Sequence, residues 1–329
     1  MPQTRIALDA MGGDDAPGAI LGGALRAVSA GMDAARILLV GDAGRIESFL
    51  GEHGGNPGFE ILPASQVIEM GDSPAQALRA KPDASIAVAV RAIREGQAGS
   101  LVSMGNTGAC VGASTLGLGT LQGVRRPGIA VTLELTGKPL TLLDMGANIA
   151  PKPDHLVQYA AMGSVYSREC LEVAAPRVGL LNVGEEAGKG TQLLKEAYPL
   201  LEASGLEFVG NVEGSDLFHE ACDVVVTDGF TGNVVLKLLE HFAGFMLGMM
   251  LRELDSHQAL GWGREALGHI RRSIDYSTYG GALLLGVNGV VVIGHGRSDE
   301  SAVANALELA ARALDTEVNR FIERGLATG

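Results

Sequence analysis

Short runs that are apolar at every position alternate along this chain with longer amphipathic stretches, and this alternation strongly constrains the fold. The apolar runs predict strands at Ile6–Leu8, Ile37–Val40, Leu101–Val102, Ile129–Val131, Leu140–Leu143, Val178–Leu181, Phe208–Val209, Val224–Val226 and Val290–Ile293. Helices are predicted near Gly18–Ala30, Ser85–Glu95, His155–Tyr166, Thr191–Leu201, Val234–Leu254 and Ser301–Ile322. Strands with two apolar faces, separated by helices, predict an α/β protein with a mostly parallel sheet covered on both sides.

The chain has 329 residues, enough for about two domains of roughly 150 residues each. No repeat of fixed period and no low-complexity linker divides it. We therefore expect one α/β domain over residues 1–329, with two lobes that share a three-layer, Rossmann-like sheet of mostly parallel, mixed strands. Glycine occupies 47 positions, about twice the average usage of ~7%, which indicates many tight turns between strands and helices.

Composition excludes several classes of protein. The chain has 25 Lys and Arg against 38 Asp and Glu, a net charge of −13, which argues against binding the phosphate backbone of a nucleic acid. Its three cysteines are widely spaced, so neither a disulfide framework nor a paired-cysteine zinc site is indicated. The first residues lack an apolar signal core, and no segment has 18 uninterrupted apolar residues. We expect a cytoplasmic protein.

The segments that follow the predicted strands combine glycine with Asn, Asp, Ser or Thr. Seven do so: Asp9–Asp14, Ser103–Gly108, Asp144–Asn148, Asn182–Glu186, Asn211–Asp216, Asp228–Asn233 and Gly294–Ser298. In a parallel sheet these turns collect at one edge, where helix N-termini offer free N–H groups to anions. Helix capping explains any one such loop, but seven together predict a site for a small anion, in which we expect Asn106, Thr107, Gly108, Asp144 and Asn148 to cradle phosphate.

Familiar catalytic motifs are absent: the sequence has no Gly-x-Ser-x-Gly elbow, no phosphate-binding loop ending in Gly-Lys-Ser/Thr and no His-Glu-x-x-His. Acidic residues at strand ends, including Asp228, could ligate Mg²⁺, but capping is the more common use, and no metal or cofactor is predicted. Lys189, between two glycines, suits a phosphate oxygen or a developing oxyanion. His295, also between glycines, follows an apolar strand and fits either a structural role or acid–base chemistry.

Seven ordered motifs resemble the phosphate acyltransferase family of bacterial phospholipid synthesis (PlsX). They are Ile6–Asp14, Gly105–Ala109, Asp144–Asn148, Asn182–Glu186, Gly210–Gly214, Asp228–Val234 and Tyr279–Gly296, and they span nearly the whole chain. The resemblance implies a fold similar to isocitrate dehydrogenase and phosphotransacetylase, a homodimer, and transfer of a long acyl chain from acyl carrier protein to inorganic phosphate. It also implies that Lys189 and Asn233 are the catalytic pair, and it places Asp228 and His295 among the substrate-binding candidates.

The segment 234–275 is a candidate contact surface. Its first helix is apolar nearly all round, which favours a core or dimer-interface position. Further on, Leu260, Trp262, Leu267 and Ile270 stand near Arg264, Arg271 and Arg272. This pattern is typical of an interfacial helix at an anionic membrane. The same arginines could instead dock acidic acyl carrier protein.

Two other functions remain open. One is a phosphate acetyl- or butyryltransferase that uses a coenzyme A thioester, and the other is a catalytically silent scaffold for lipid enzymes at the membrane. If the resemblance holds, we expect peripheral attachment to the inner face of the cell membrane. The downstream membrane glycerol-3-phosphate acyltransferase is then a further expected partner.

Overall fold

The structure, a computed structural model, describes residues 4–256 and 280–327. Its strands are β1 (Ile6–Asp9), β2 (Ile37–Gly41), β3 (Glu60–Pro63), β4 (Ser100–Ser103), β5 (Gly128–Leu133), β6 (Leu140–Leu143), β7 (Val178–Leu181), β8 (Phe208–Val212), β9 (Val224–Val226), β10 (Ala282–Leu285) and β11 (Val290–Ile293). Its α-helices are α1 (Gly18–Ser29), α2 (Ala43–Glu52), α3 (Pro74–Ala80), α4 (Ser85–Arg94), α5 (Thr107–Leu118), α6 (Pro153–Cys170), α7 (Gln192–Glu202), α8 (Gly229–Ser256), α9 (Glu300–Asp315) and α10 (Val318–Ala327).

The chain divides into two compact units. The first contains residues up to 127 together with residues from 279 onward, and its strands follow the order β3-β2-β1-β4-β11-β10. All neighbouring pairs are parallel except β10 with β11. β1, β2, β4, β10 and β11 are buried along their whole length, as expected of strands covered on both faces.

The second unit begins at Gly128, and its strands follow the order β5-β6-β9-β7-β8. Here β5 and β6 are antiparallel, whereas β6, β9, β7 and β8 are parallel. In both units helices connect the parallel strands, so the predicted α/β class with a mostly parallel, mixed sheet is confirmed. The carboxyl ends of β6, β9 and β7 lie side by side at one edge of this unit.

Helix packing depends on glycine where two backbones approach closely. In α1, a Cβ atom added to Gly23 would overlap the side chain of Val303 in α9, so glycine is what lets these two helices of the first unit pack together. The single helix predicted over Ser301–Ile322 is wrong in one respect. The structure divides it at Thr316 and Glu317, and Glu317 has a left-handed φ of 51° that an α-helix cannot continue through.

Helix α8 carries an exposed apolar face. Its exposed large side chains are Phe230, Val234, Leu238, Phe242, Phe245, Met249, Met250 and Leu251. Of the two expected positions, core and dimer interface, the core does not fit the chain as described, because Leu238 remains 65% exposed. By length and composition alone, Gly229–Glu253 could also cross a membrane; Lys237, Glu240 and His241 interrupt its apolar sequence.

Candidate active site

Three loops of the second unit meet the same edge of its sheet. They follow the adjacent parallel strands β6, β9 and β7, and they comprise residues 144–148, residues 227–228 leading into α8, and residues 182–190. The carboxyl edge of a parallel sheet is where α/β proteins bind ligands. Among the sequence-predicted residues, this edge brings Asp144, Asn148, Lys189, Asp228 and Asn233 into one region of this unit.

The side chain of Asp144 holds the backbone of the 144–148 loop. Its carboxylate is buried and accepts N–H bonds from Ile129 at 3.0 Å, Gly146 at 3.1 Å, Ala147 at 2.9 Å and Asn148 at 2.7 Å. Burial raises the pKa of this carboxyl above its ordinary value, while these backbone bonds oppose the rise. Asp144 thus holds the loop predicted to bind phosphate, and its carboxylate oxygens are occupied by backbone N–H groups.

Asp228 directly precedes helix α8 and caps its first turn. Its Oδ1 accepts the N–H groups of Phe230 at 3.0 Å and Thr231 at 2.9 Å, and its Oδ2 accepts the Thr231 hydroxyl at 2.7 Å. These bonds satisfy donors that the first turn of a helix otherwise leaves unpaired. The carboxylate of Asp228 therefore fixes where α8 starts, and with it the position of Asn233.

Asn233 is exposed in the first turns of α8. A Cβ atom added to Gly146 would lie 3.6 Å from the Cβ and 3.7 Å from Oδ1 of Asn233, which are ordinary contact distances, so the Asn233 side chain lies directly beside the loop. A Cβ atom on Gly232 would collide with the carbonyl oxygen of Asp144. The helix therefore rests directly on the 144–148 loop, and Asn233 lies at the contact.

Lys189 lies on the loop after β7 and is held by two buried asparagines. The amide of Asn182 donates to the carbonyl oxygen of Lys189 at 3.2 Å, and that of Asn211 donates to the carbonyl oxygen of Glu186 at 2.9 Å. The lysine side chain is 54% exposed, and its Nζ lies 3.9 Å from Glu186 Oε1. The loop is thus fixed from within while its cation faces solvent.

The predicted residues of the first unit occupy the carboxyl ends of β4 and β11. Asn106 is buried; its Nδ2 donates to the carbonyl oxygens of Met70 and Asp72, both at 3.1 Å, and its Oδ1 caps α5 by accepting from Ala109 at 3.0 Å. Its polar atoms therefore serve the chain itself. Thr107 and Gly108 are exposed in the first turn of α5.

His295 is half-buried after β11. Its Nδ1 accepts the Arg297 N–H at 3.2 Å, and its own N–H donates to Ser298 Oγ at 3.2 Å. A Cβ atom on Gly294 would overlap the side chain of Met104, and one on Gly296 that of Met70, which accounts for the glycines on either side of His295. Among the residues that the structure describes, no three His, Cys, Asp or Glu side chains form a group that could hold a metal ion.

Seven sequence-predicted contact residues fall outside the described residues: Leu260, Trp262, Arg264, Leu267, Ile270, Arg271 and Arg272. Conversely, Asn182, Asn211 and Tyr159 were not among the predicted site residues. The first two stand in the glycine-bearing motifs, which is the signal that could have found them. Tyr159 lies in the middle of α6, where its sequence neighbours give no such signal.

Solved structures share this fold over nearly the whole chain. A phosphotransacetylase from Streptococcus pyogenes has a TM-score of 0.63 at 17% identity, covering 95% of this chain and 94% of that one. A branched-chain phosphotransacylase from Enterococcus faecalis has a TM-score of 0.58 at 16% identity, covering 94% and 99%. The fold is therefore that of the phosphotransacylase class.

The chain itself belongs to the fatty acid synthesis protein family, whose sequence model matches residues 4–321. A relative from Desulfitobacterium hafniense, named phosphate acyltransferase, is 44% identical over 98% of this chain and 97% of its own length. A second of that name, from Heliobacterium modesticaldum, is 48% identical over 93% and 92%. The resemblance inferred from the seven motifs is confirmed.

Proposed function

We propose that the protein transfers a long-chain acyl group from acyl carrier protein to inorganic phosphate, giving acyl phosphate for phospholipid synthesis. The observation that carries this proposal is the position of two side chains: Lys189 on the loop after β7, and Asn233 in the first turns of the helix that follows the neighbouring strand β9. Both side chains are exposed at the carboxyl edge of the second unit. The names of the curated relatives and the phosphotransacylase fold support the same reaction.

The reaction needs positioning and charge stabilisation more than an activated nucleophile. The second pKa of inorganic phosphate lies near neutrality, so a large fraction of it is dianionic at neutral pH. One of its oxygens attacks the thioester carbonyl carbon, a C–O bond forms, and the C–S bond breaks as the electron pair leaves with sulfur. A thiol with a pKa of about 8.5 leaves with little acid assistance.

Lys189 and Asn233 supply the two kinds of interaction that this step requires. The Lys189 ammonium is a point charge suited to a phosphate oxygen. The Asn233 amide offers N–H groups to the oxyanion that forms as the carbonyl is attacked. Buried side chains hold the backbone that carries each of the two groups. Thr107 and Gly108, exposed in the first turn of α5, stay proposed phosphate contacts, and His295 a proposed substrate contact.

The cysteines are unsuited to forming an acyl-enzyme. All three are buried, and burial raises the thiol pKa of Cys110 and of Cys222 to about 12. We expect an acyl thioester incubated with the enzyme to persist when phosphate is omitted, and to disappear when it is added. Intact-protein mass spectrometry checks this; a stable acyl adduct on Cys110, Cys170 or Cys222 would replace direct attack by a covalent route.

The donor distinguishes this proposal from its alternative. A short-chain phosphate acyltransferase would prefer acetyl- or butyryl-coenzyme A, whereas we expect faster turnover of long-chain acyl-acyl carrier protein. Initial rates with both donors at equal concentration decide between them. Phosphate-dependent loss of either thioester would exclude the catalytically silent scaffold.

The exposed face of α8 supports proposals about partners and location. Phe230, Val234, Leu238 and Phe242 recur every four residues on one side of the helix and are at least half exposed. Apolar side chains presented this way suit a bilayer surface or a second copy of the chain. We propose a homodimer that attaches peripherally to the inner face of the cell membrane. The proposed attachment would bring it near the glycerol-3-phosphate acyltransferase that uses its product.

A pair of substitutions tests the membrane proposal. Leu238→Glu combined with Phe242→Glu is expected to abolish sedimentation with anionic vesicles, because it places two negative charges on the apolar face. Activity on carrier-protein thioesters in solution should persist. Leu200→Glu, at an exposed apolar position in α7, is the matched control and should still sediment. Unchanged sedimentation of the double variant would contradict the proposal, and a lower mass by light scattering would assign the face to the dimer.

A further inference from the structure

Tyr159 is a buried hydroxyl-bearing residue beneath the site of the second unit. It lies in α6 with no exposed surface, and its hydroxyl oxygen accepts a hydrogen bond from Asn148 Nδ2 at 2.7 Å. A phenylalanine would fill the same space without a polar atom to satisfy. The proposed chemistry does not use this hydroxyl directly, so its placement calls for another explanation.

Asn148 connects this hydroxyl to the helix that carries Asn233. Its side chain reaches Tyr159, its own N–H donates to the buried Asp144 carboxylate, and its carbonyl oxygen accepts the Gly229 N–H at 2.8 Å. Gly229 is the first residue of α8. One asparagine therefore joins α6, the 144–148 loop and the start of α8.

The 144–148 loop and the start of α8 are packed closely against each other. A Cβ atom on Gly229 would approach the Asn148 carbonyl oxygen to 2.6 Å, closer than real Cβ atoms come. A displacement of Asn148 would therefore displace the first turns of α8 as well. Asn233 follows Gly229 by four residues, about one helical turn.

We propose that Tyr159 is a positioning residue, which sets the Asn233 amide by holding the Asn148 side chain. The inference rests on the proposed function, because it assigns Tyr159 a part in the reaction at Asn233. Small displacements of a catalytic group are costly, since reacting groups must lie within a few tenths of an ångström of their productive geometry. The hydrogen bond to the Tyr159 hydroxyl restricts the conformations of the 144–148 loop, on which that geometry depends.

The same helix supplies a matched control. Tyr166 is also buried in α6, and its hydroxyl lies 3.1 Å from Thr132 Oγ1 in β5. Tyr159→Phe and Tyr166→Phe both remove a buried hydroxyl from α6, the first from a bond to the 144–148 loop and the second from a contact with β5. We expect Tyr159→Phe to lower kcat on the order of 10-fold, with the KM for the acyl thioester unchanged, and Tyr166→Phe to retain wild-type kcat.

A double-substitution cycle tests whether Tyr159 acts through Asn233. In an Asn233→Ala background, adding Tyr159→Phe should lower the rate no further, because the group that it positions is already gone. Wild-type kcat in Tyr159→Phe, equal losses in both tyrosine variants, or a full further loss in the double variant would each overturn the positioning role. Wild-type enzyme that shows no phosphate-dependent turnover would overturn the proposed function as well, so the two failures are distinguishable.

Discussion

Lys189→Ala is expected to lower the rate of phosphate-dependent thioester loss at least ~100-fold, the scale of removing one donor from an oxyanion site. The lysine side chain is the cation that the 182–190 loop presents to solvent, and its nearest described carboxylate, that of Glu186, lies 3.9 Å away. Without it, the attacking phosphate loses its positive partner. Steady-state kinetics with acyl-acyl carrier protein and varied phosphate measure the effect.

The control for Lys189 is Lys195→Ala, which removes an exposed lysine from the first turns of the following helix, α7. It changes the net charge by the same amount and should keep wild-type kcat and KM. Thermal unfolding of both variants should match that of the wild type, because neither side chain is buried. Wild-type turnover by Lys189→Ala would remove this lysine from the mechanism.

The second large effect is expected at Asn233. Asn233→Ala should lower kcat on the order of 100-fold by removing an amide donor, and Asn233→Asp should lower it further. The aspartate has nearly the same shape as asparagine but replaces a donor with a negative charge that repels phosphate. Comparing kcat for the two variants separates lost hydrogen bonding from added repulsion. An aspartate variant more active than the alanine variant would mean that no anion approaches this position.

Most strands with two apolar faces could be predicted, because burial on both sides of a sheet leaves a continuous apolar run, although β10, apolar and buried throughout, is absent from the predicted strands. β3 could not, since this strand begins with Glu60, ends with Pro63 and is not fully buried at any position. α5 was missed for a different reason. Its residues are small and apolar on most sides, so Thr107–Leu118 shows no helical stripe.

The sequence located the candidate site but not the direction in which its polar atoms face. Asn106, Asp144 and Asp228 each follow a strand, as expected, yet their oxygens accept from the backbone of their own loops. Residue type and position cannot distinguish a cap from a ligand contact, because both uses favour the same side chains at helix starts. The role of Tyr159 could not be predicted from the sequence, because only the tertiary fold brings its partner Asn148 to it.

The side chains that fix the loops around Lys189 and Asn233 are mostly uncharged. Asn182, Asn211, Asn148 and Tyr159 act through amide and hydroxyl groups. The two carboxylates among them are that of Asp144, which is buried, and that of Asp228, which is half-buried and bonded to the first turn of α8. At 0.1 M salt, dissolved ions largely screen attractions between exposed charges that lie more than about 10 Å apart, but they have little effect on neutral, buried contacts. Ionic strength can therefore change how strongly phosphate is attracted to the enzyme without changing the shape of the proposed phosphate site.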